Sequence, residues 1–128
     1  MVTVRQLFYS CKRKDKKKKS YVPRLDSCPQ KKGICVEIRN SVSPKKPNSA
    51  KRKVAKVKLS TGKHIIAAIP GQGHNLQKYS VVMVRGGRAR DIPGVRYKLI
   101  KGRYDFSLFE RIKRTKRRSK YGLPKTKK

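Results

Sequence analysis

The sequence predicts an all-β protein, a small closed barrel of five strands with long basic extensions at both ends. Three observations predict it. Short segments in the middle of the chain alternate apolar and polar residues with a period of two, as strands with one buried face do. Glycine- and proline-rich stretches separate them, with no convincing helix in between. Both ends are runs of lysine and arginine with too little apolar surface to fold alone.

Residues 1–20 open with the mixed segment Val2-Thr3-Val4-Arg5-Gln6-Leu7-Phe8-Tyr9 and continue into a cationic run, Lys12 to Lys19, broken only by Asp15. Such a run is expected to be disordered when free. Cys28-Pro29-Gln30-Lys31-Lys32-Gly33 is a turn-rich lead-in. Ile34, Val36 and Ile38 then alternate with Cys35, Glu37 and Arg39 as the first strand. Next comes Ser43-Pro44-Lys45-Lys46-Pro47-Asn48-Ser49-Ala50. Its two prolines restrict their own φ and push the preceding residues out of the helical region, so the segment is a stiff extended loop. Lysines beside small hydrogen-bonding groups suit close approach to a nucleic-acid backbone.

Ala55, Val57 and Leu59 alternate with Lys56 and Lys58 as the second strand, Ser60-Thr61-Gly62-Lys63 turns, and His64 to Ile69 returns as the third until Pro70. Gly71-Gln72-Gly73-His74-Asn75 is a loop. Ser80 to Arg85 is a nearly continuous apolar fourth strand, residues 86–94 form a loop rich in glycine and arginine, and Val95, Tyr97 and Leu99 mark the fifth strand. Five short strands over roughly seventy residues suit an OB-fold-like barrel, the kind that binds nucleic acids with its loops. The expected division is a basic N-terminal extension over 1–27, the barrel with its loops over 28–102, and a basic C-terminal extension over 103–128. In the last, Tyr104, Phe106, Leu108 and Phe109 form a short helix or turn that packs on the barrel. Residues 111–128 carry ten basic residues and no acid, so both tails are expected to lack a core and to order only on RNA.

Thirty-eight lysines and arginines face six acids, a formal net charge of +32. Charge at that density repels itself and calls for a polyanionic partner, of which nucleic acid is the obvious one. No long apolar run and no basic helix with a clear apolar face suggests a membrane role. An apolar content of 35% limits the core to a modest one.

Chemistry of other kinds is weakly indicated. Cys28 and Cys35 are separated by six residues, which is no zinc-ribbon or finger spacing, so reduced thiols packed at the barrel edge are expected and no metal. His74 has no nucleophile or carboxylate constellation to serve as a base for, so a structural or RNA-contacting histidine is the better reading. Gly71-Gln72-Gly73 and Gly86-Gly87 carry neither Walker nor Rossmann spacing and are read as tight turns. Tyr97 shares the phase of Val95 and Leu99, which favours core packing over base stacking. An enzyme such as a nuclease would need clustered carboxylates, and the acids from Asp26 onward are scattered singly. A free single-strand-binding or RNA-chaperone barrel would need exposed stacking aromatics, of which there are few.

Seven segments, in order and across nearly the whole chain, resemble the small-subunit ribosomal protein S-twelve family of the bacterial and organellar type. They are Thr3-Val4-Arg5-Gln6-Leu7, Cys28 to Gly33, Pro44 to Ala50, Gly73-His74-Asn75-Leu76-Gln77, Val84-Arg85-Gly86-Gly87-Arg88, Asp91 to Tyr97 and Arg118-Ser119-Lys120-Tyr121-Gly122. The resemblance implies an OB-type barrel at the decoding centre that binds small-subunit rRNA and contributes to codon–anticodon monitoring and accuracy. Its implied partners are small-subunit rRNA, A-site tRNA, mRNA and other small-subunit proteins. No cofactor is expected, and any structural magnesium nearby would be held by rRNA.

The family implies two loops beside the codon–anticodon helix. In the first, Pro47 and Ser49 match positions against the codon and the rRNA bases that monitor it, Lys45 and Lys46 match lysines at the streptomycin-sensitive site, and Asn48 lies between. The second carries Arg85, Arg88, Arg90, Asp91 and Pro93, with Asp91 matching an aspartate that some bacteria methylthiolate. His74 and Asn75 complete the implied RNA-facing set. Arg90 stands where most members have lysine, Lys51 replaces a leucine, and Lys78-Tyr79 replaces Glu-His. A planar guanidinium is not a point charge, so contact geometry at Arg90 is expected to differ. The family's start coincides with Met1, which argues against a cleavable presequence. Together with the lysine-heavy composition this points to an organelle-encoded mitochondrial protein, with a plastid or bacterial cytoplasm as the alternative.

Overall fold

The structure, a computed structural model, describes residues 3–9, 17–43, 50–108 and 110–125. The proline loop at 44–49 lies outside them. The first described element is a short helix, α1 (Val4–Phe8). Thr3 and Gln6 cap it reciprocally: the Gln6 N–H donates to Thr3 Oγ1 and the Thr3 N–H to Gln6 Oε1. This Thr-x-x-Gln box is a local helix signal in a tail expected to lack structure of its own. No α1 residue is buried.

Five strands follow: β1 (Gln30–Val42), β2 (Arg52–Leu59), β3 (His64–Ala68), β4 (Val81–Gly86) and β5 (Tyr97–Leu99). They close into a barrel in the order β1-β2-β3-β5-β4, and only the β3–β5 pair is parallel. The all-β, five-stranded barrel expected from the sequence is thus observed. Closure leaves no sheet edge open.

β1 serves two neighbours. Gln30 to Ile34 pairs with β4 and Gly33 to Val42 with β2. Gly33 sits where the two ladders overlap, and a Cβ there would lie 2.5 Å from Val57 Cγ1 and 2.8 Å from the Lys58 carbonyl oxygen. A register shift between Cys35 and Glu37 inserts an extra residue into β1. Such a bulge reverses which residues face inward. The triplet Ile34, Val36 and Ile38 therefore does not share one buried face. Gly33 and Cys35 point inward before the bulge and Ile38 packs on the core after it, while Ile34 is left 44% exposed. Cys35 consequently lies at the centre of the core, a correction to the expected place at the barrel edge. Cys28 is exposed.

The remaining strands keep their expected phase. Val57, Leu59, Ile65, Ala67, Val82, Val84, Tyr97 and Leu99 fill the barrel. Tyr97 is a core residue, and its hydroxyl accepts from the Arg24 N–H at 3.3 Å. Gly62, at φ +82°, turns the β2–β3 hairpin. Two residues outside the strands also enter the core, Leu25 from a 3₁₀ turn at Pro23–Leu25 and Phe106 from a turn closed by the Gly102 N–H to the Phe106 carbonyl. Phe106 is fully buried, so the aromatic turn after β5 does pack on the barrel, while Tyr104 and Leu108 stay partly exposed. Phe109 lies outside the described residues.

Candidate nucleic-acid interface

One rim of the barrel gathers three loops. The first is the start of β2, with Lys51, Arg52 and Lys53. The second covers 69–76 and is bound to the first through the Ile69 N–H and the Lys53 carbonyl at 3.1 Å. The third covers 86–96. Its own backbone closes it, with the Gly87 N–H on Arg96 and the Ala89 N–H on Val95. A small apolar cluster of Val54, Ile92 and Val95, with Val42, Ala68 and Ala89 around it, plugs this loop onto β2 and β3. At its edge Arg52 Nε donates to Asp91 Oδ2 at 2.9 Å.

Between these loops and residues 111–121 lies a groove of about 910 Å³. Arg85, Arg88, Arg90 and Lys98 line it from the third loop and the neighbouring strands; Arg111, Arg114 and Lys120 line it from the C-terminal segment. Asp91 is the one carboxylate among the lining residues, and Arg52 already engages it. The groove is therefore strongly cationic, and concave walls of one sign focus the field toward a polyanion. An adjoining groove of about 680 Å³ runs between Tyr21, Val22 and the other side of the third loop, where Pro93 and Gly94 lie.

The structure brings His74, Arg85, Arg88, Arg90 and Asp91 together in the first groove and Arg88, Arg90 and Pro93 in the second. Lys45, Lys46, Pro47, Asn48 and Ser49 lie outside the described residues, though the chain on either side of them, at Ser43 and Ala50, is described. Asn75 lines neither groove. Its amide nitrogen donates to the Asp105 carbonyl and its oxygen accepts from the Ser107 N–H, so it ties the second loop to the aromatic turn. His74 Nδ1 accepts from the Leu76 N–H at 3.2 Å. Burial, followed by the positive charges of Lys53, Lys101 and Arg111, holds the imidazole below its ordinary pKa. The charged form is thus disfavoured, and with Nδ1 accepting from the backbone the other ring nitrogen, Nε2, is the donor. Sequence reasoning missed Arg52, Lys53 and Lys98 and the whole C-terminal wall. For the first two, adjacency to the proline-containing segment was the available signal, and for Lys120 the Arg118-to-Gly122 segment; nothing local marks the rest.

The described carboxylates are all committed. Asp26 pairs with Lys31 and Lys63, Glu37 with Arg39, Asp91 with Arg52 and Glu110 with Lys101 and Arg114, while Asp105 accepts the Val81 N–H. No group of three or more metal-ligating side chains occurs among the described residues. Fold and rim together define a basic OB-type barrel protein whose loop-bearing rim concentrates positive charge. The family described as Ribosomal protein S12/S23 matches residues 16–128. The small ribosomal subunit protein uS12m of Acanthamoeba castellanii is 59% identical over 128 residues, spanning 100% of this chain and 99% of that protein. The chain belongs to the ribosomal protein S12/S23 family.

Proposed function

We propose that this chain binds small-subunit rRNA through its cationic rim and stands at the decoding centre, where it contributes to codon–anticodon monitoring. The chain is a mitochondrial small-subunit ribosomal protein of the translation machinery, a structural component. Ribosomal RNA and other small-subunit proteins are its partners, and A-site tRNA and mRNA are added by the proposal. The observation that carries the reading is the convergence of the start of β2, the 69–76 loop and the 86–96 loop on one groove lined by Arg85, Arg88 and Arg90.

In this mechanism Lys45 to Ser49 and Arg85 to Gly94 are two arms of one clamp. Each arm has proline in or beside it, Pro44 and Pro47 for one and Pro93 for the other, and a preorganised loop loses little entropy when the codon–anticodon helix closes on it. Arg85, Arg88, Arg90, Lys45 and Lys46 hold rRNA phosphates, which positions the protein without reading sequence. Asn48 and Ser49 supply hydrogen bonds that differ between the closed and open states, so their contribution depends on codon fit. The apolar plug of Val54, Ile92 and Val95 braces the second arm, and His74, whose Nδ1 is taken by the Leu76 N–H, is left with Nε2–H as a donor.

The test is a reporter set that measures misreading at each codon position in ribosomes carrying single substitutions. Ser49→Ala is expected to change discrimination at particular positions, by roughly the ~1 kcal/mol of one hydrogen bond. Lys46→Ala and Arg88→Ala are expected to shift accuracy at every position in one direction. Equal, position-independent effects from Ser49→Ala and Lys46→Ala would refute the division of labour. Release of the protein from small subunits at moderate salt in a sucrose gradient would refute the structural placement.

A further inference from the structure

We propose that Glu110 is a positioning residue that fastens the C-terminal segment to the barrel, so that Arg111, Arg114 and Lys120 meet RNA as a fixed wall of the groove and not as a free polycation. This rests on the RNA-binding reading of the groove. From 106 to 128 the sequence has one acid, Glu110, among many cations. Self-repulsion alone would drive such a segment away from a basic barrel.

Glu110 reverses that tendency with both oxygens. Oε1 lies 2.7 Å from Lys101 Nζ, and the two side chains are 4% and 2% exposed. Oε2 accepts the Gln72 N–H at 3.0 Å. The next residue adds a backbone bond in the other direction, from the Arg111 N–H to the Gln72 carbonyl at 2.9 Å. Gly71, at φ +81°, leaves the space the carboxylate occupies; a Cβ there would collide with Glu110 Oε1. Lys101, two residues after the end of β5, also lies 5.7 Å from the Phe106 ring centroid. The latch therefore joins the barrel core, the 69–76 loop and the C-terminal segment at one point.

From that point the segment is held along the groove. Arg114, one helical turn in sequence after Glu110, has its Nε 3.5 Å from Glu110 Oε2 and its guanidinium 3.6 Å from the Tyr121 ring centroid. Nε is buried without a hydrogen-bond partner, so stacking on Tyr121 and the nearby carboxylate orient this side chain. A turn at Ser119–Tyr121, closed by the Leu123 N–H on the Arg118 carbonyl, sets Tyr121 and Lys120 in the lining. Holding the cations in place before binding removes the ordering cost that a free tail would meet on RNA. This also qualifies the expectation that residues 111–128 are ordered only by RNA: the described part has a protein anchor, which distant pairing and not local apolar periodicity supplies.

The experiment measures binding of the full-length chain to a decoding-region fragment of small-subunit rRNA over a series of KCl concentrations. The slope of log K against log salt counts phosphate contacts at about 0.7–0.9 per contact, a readout that a purely stabilising role would leave unchanged. Glu110→Gln is expected to lower the slope by about 2.1–2.7, for three cations released. Tyr121→Ala, at a residue outside the barrel strands and both apolar clusters, is expected to lower it by about 0.7–0.9 with thermal unfolding unchanged. Arg85→Ala with Arg88→Ala is the control for the groove itself. If Glu110→Gln does not fold, Tyr121→Ala decides. An unchanged slope in Tyr121→Ala beside a reduced one in the arginine control overturns the latch and leaves the RNA reading standing. An unchanged slope in all variants overturns the RNA reading, and the latch with it.

Discussion

The 86–96 loop carries Arg88 and Arg90, and the structure offers two devices that could hold it, an ion pair and an apolar plug. Magnitudes decide between them. Arg52 and Asp91 are 54% and 22% exposed and meet through one 2.9 Å contact. A pair so hydrated is worth at most about 1 kcal/mol. Ile92 is 4% exposed and packs with Val54 and Val95. Ile92→Ala removes three carbon groups, about 2.4 kcal/mol at roughly 0.8 each, and a residual cavity would add to that. The loop is therefore expected to depend on the plug. Native-state hydrogen exchange of the Gly87 and Ala89 amides, bonded to the Arg96 and Val95 carbonyls, reads loop opening directly. Ile92→Ala should speed their exchange about fifty-fold and Asp91→Asn no more than about five-fold, at 1.4 kcal/mol per decade. If Asp91→Asn exposed these amides more than Ile92→Ala, the ranking of plug over ion pair would be wrong.

Three further outcomes are expected. Gly33→Ala should destabilise the barrel by roughly 1–3 kcal/mol in urea unfolding, because the new methyl meets Val57 and the Lys58 carbonyl; a neutral result would mean that β1 can shift away from β2. Cys28 is exposed, whereas burial, with a smaller effect of Asp105, pushes the Cys35 thiol up to about 11. Iodoacetamide at pH 8 should therefore modify Cys28 and spare Cys35 until unfolding, and stability should fall as pH rises from 9 toward 11, where the unfolded chain loses this proton first; rapid native-state labelling of Cys35 would contradict its burial. For Glu110, burial alone would raise the pKa, but hydrogen bonds from Lys101 and the Gln72 N–H and the charges of Lys101 and Arg114 outweigh it and hold the group below its usual 4.5. A depressed carboxyl stabilises above its unfolded value and loses that contribution as pH falls through its folded one. Exchange protection at Gln72 and Arg111 should thus be constant near neutrality and disappear in acid; protection that survives full protonation of the carboxylates would show that the ion pair does not hold the segment.

Local sequence determined the parts of this protein that depend on local physics. Period-two alternation at Ala55, Val57 and Leu59 and at Tyr97 and Leu99 marked strands and their inner faces, because successive side chains on a strand must point to opposite sides, whereas Val95, expected in the fifth strand, lies before it and packs in the loop's apolar plug. Gly62 marked its hairpin, and the excess of lysine and arginine marked a polyanion-binding protein. The Thr3–Gln6 capping box was equally legible and simply went unread. What tertiary structure decided depended on partners far along the chain. The bulge after Cys35 arises where β1 passes from β4 to β2, so no pattern within β1 announces that Cys35 turns inward and Ile34 outward. The bonds that tie Asn75 to the turn at 103–107 likewise join residues 30 and 32 positions apart. The third wall of the groove rests on a carboxylate at 110 meeting a lysine at 101 and a backbone N–H at 72. Nothing in a run of cations reveals that meeting, because burying an ion pair depends on the low-dielectric site that the closed barrel and its loops create together.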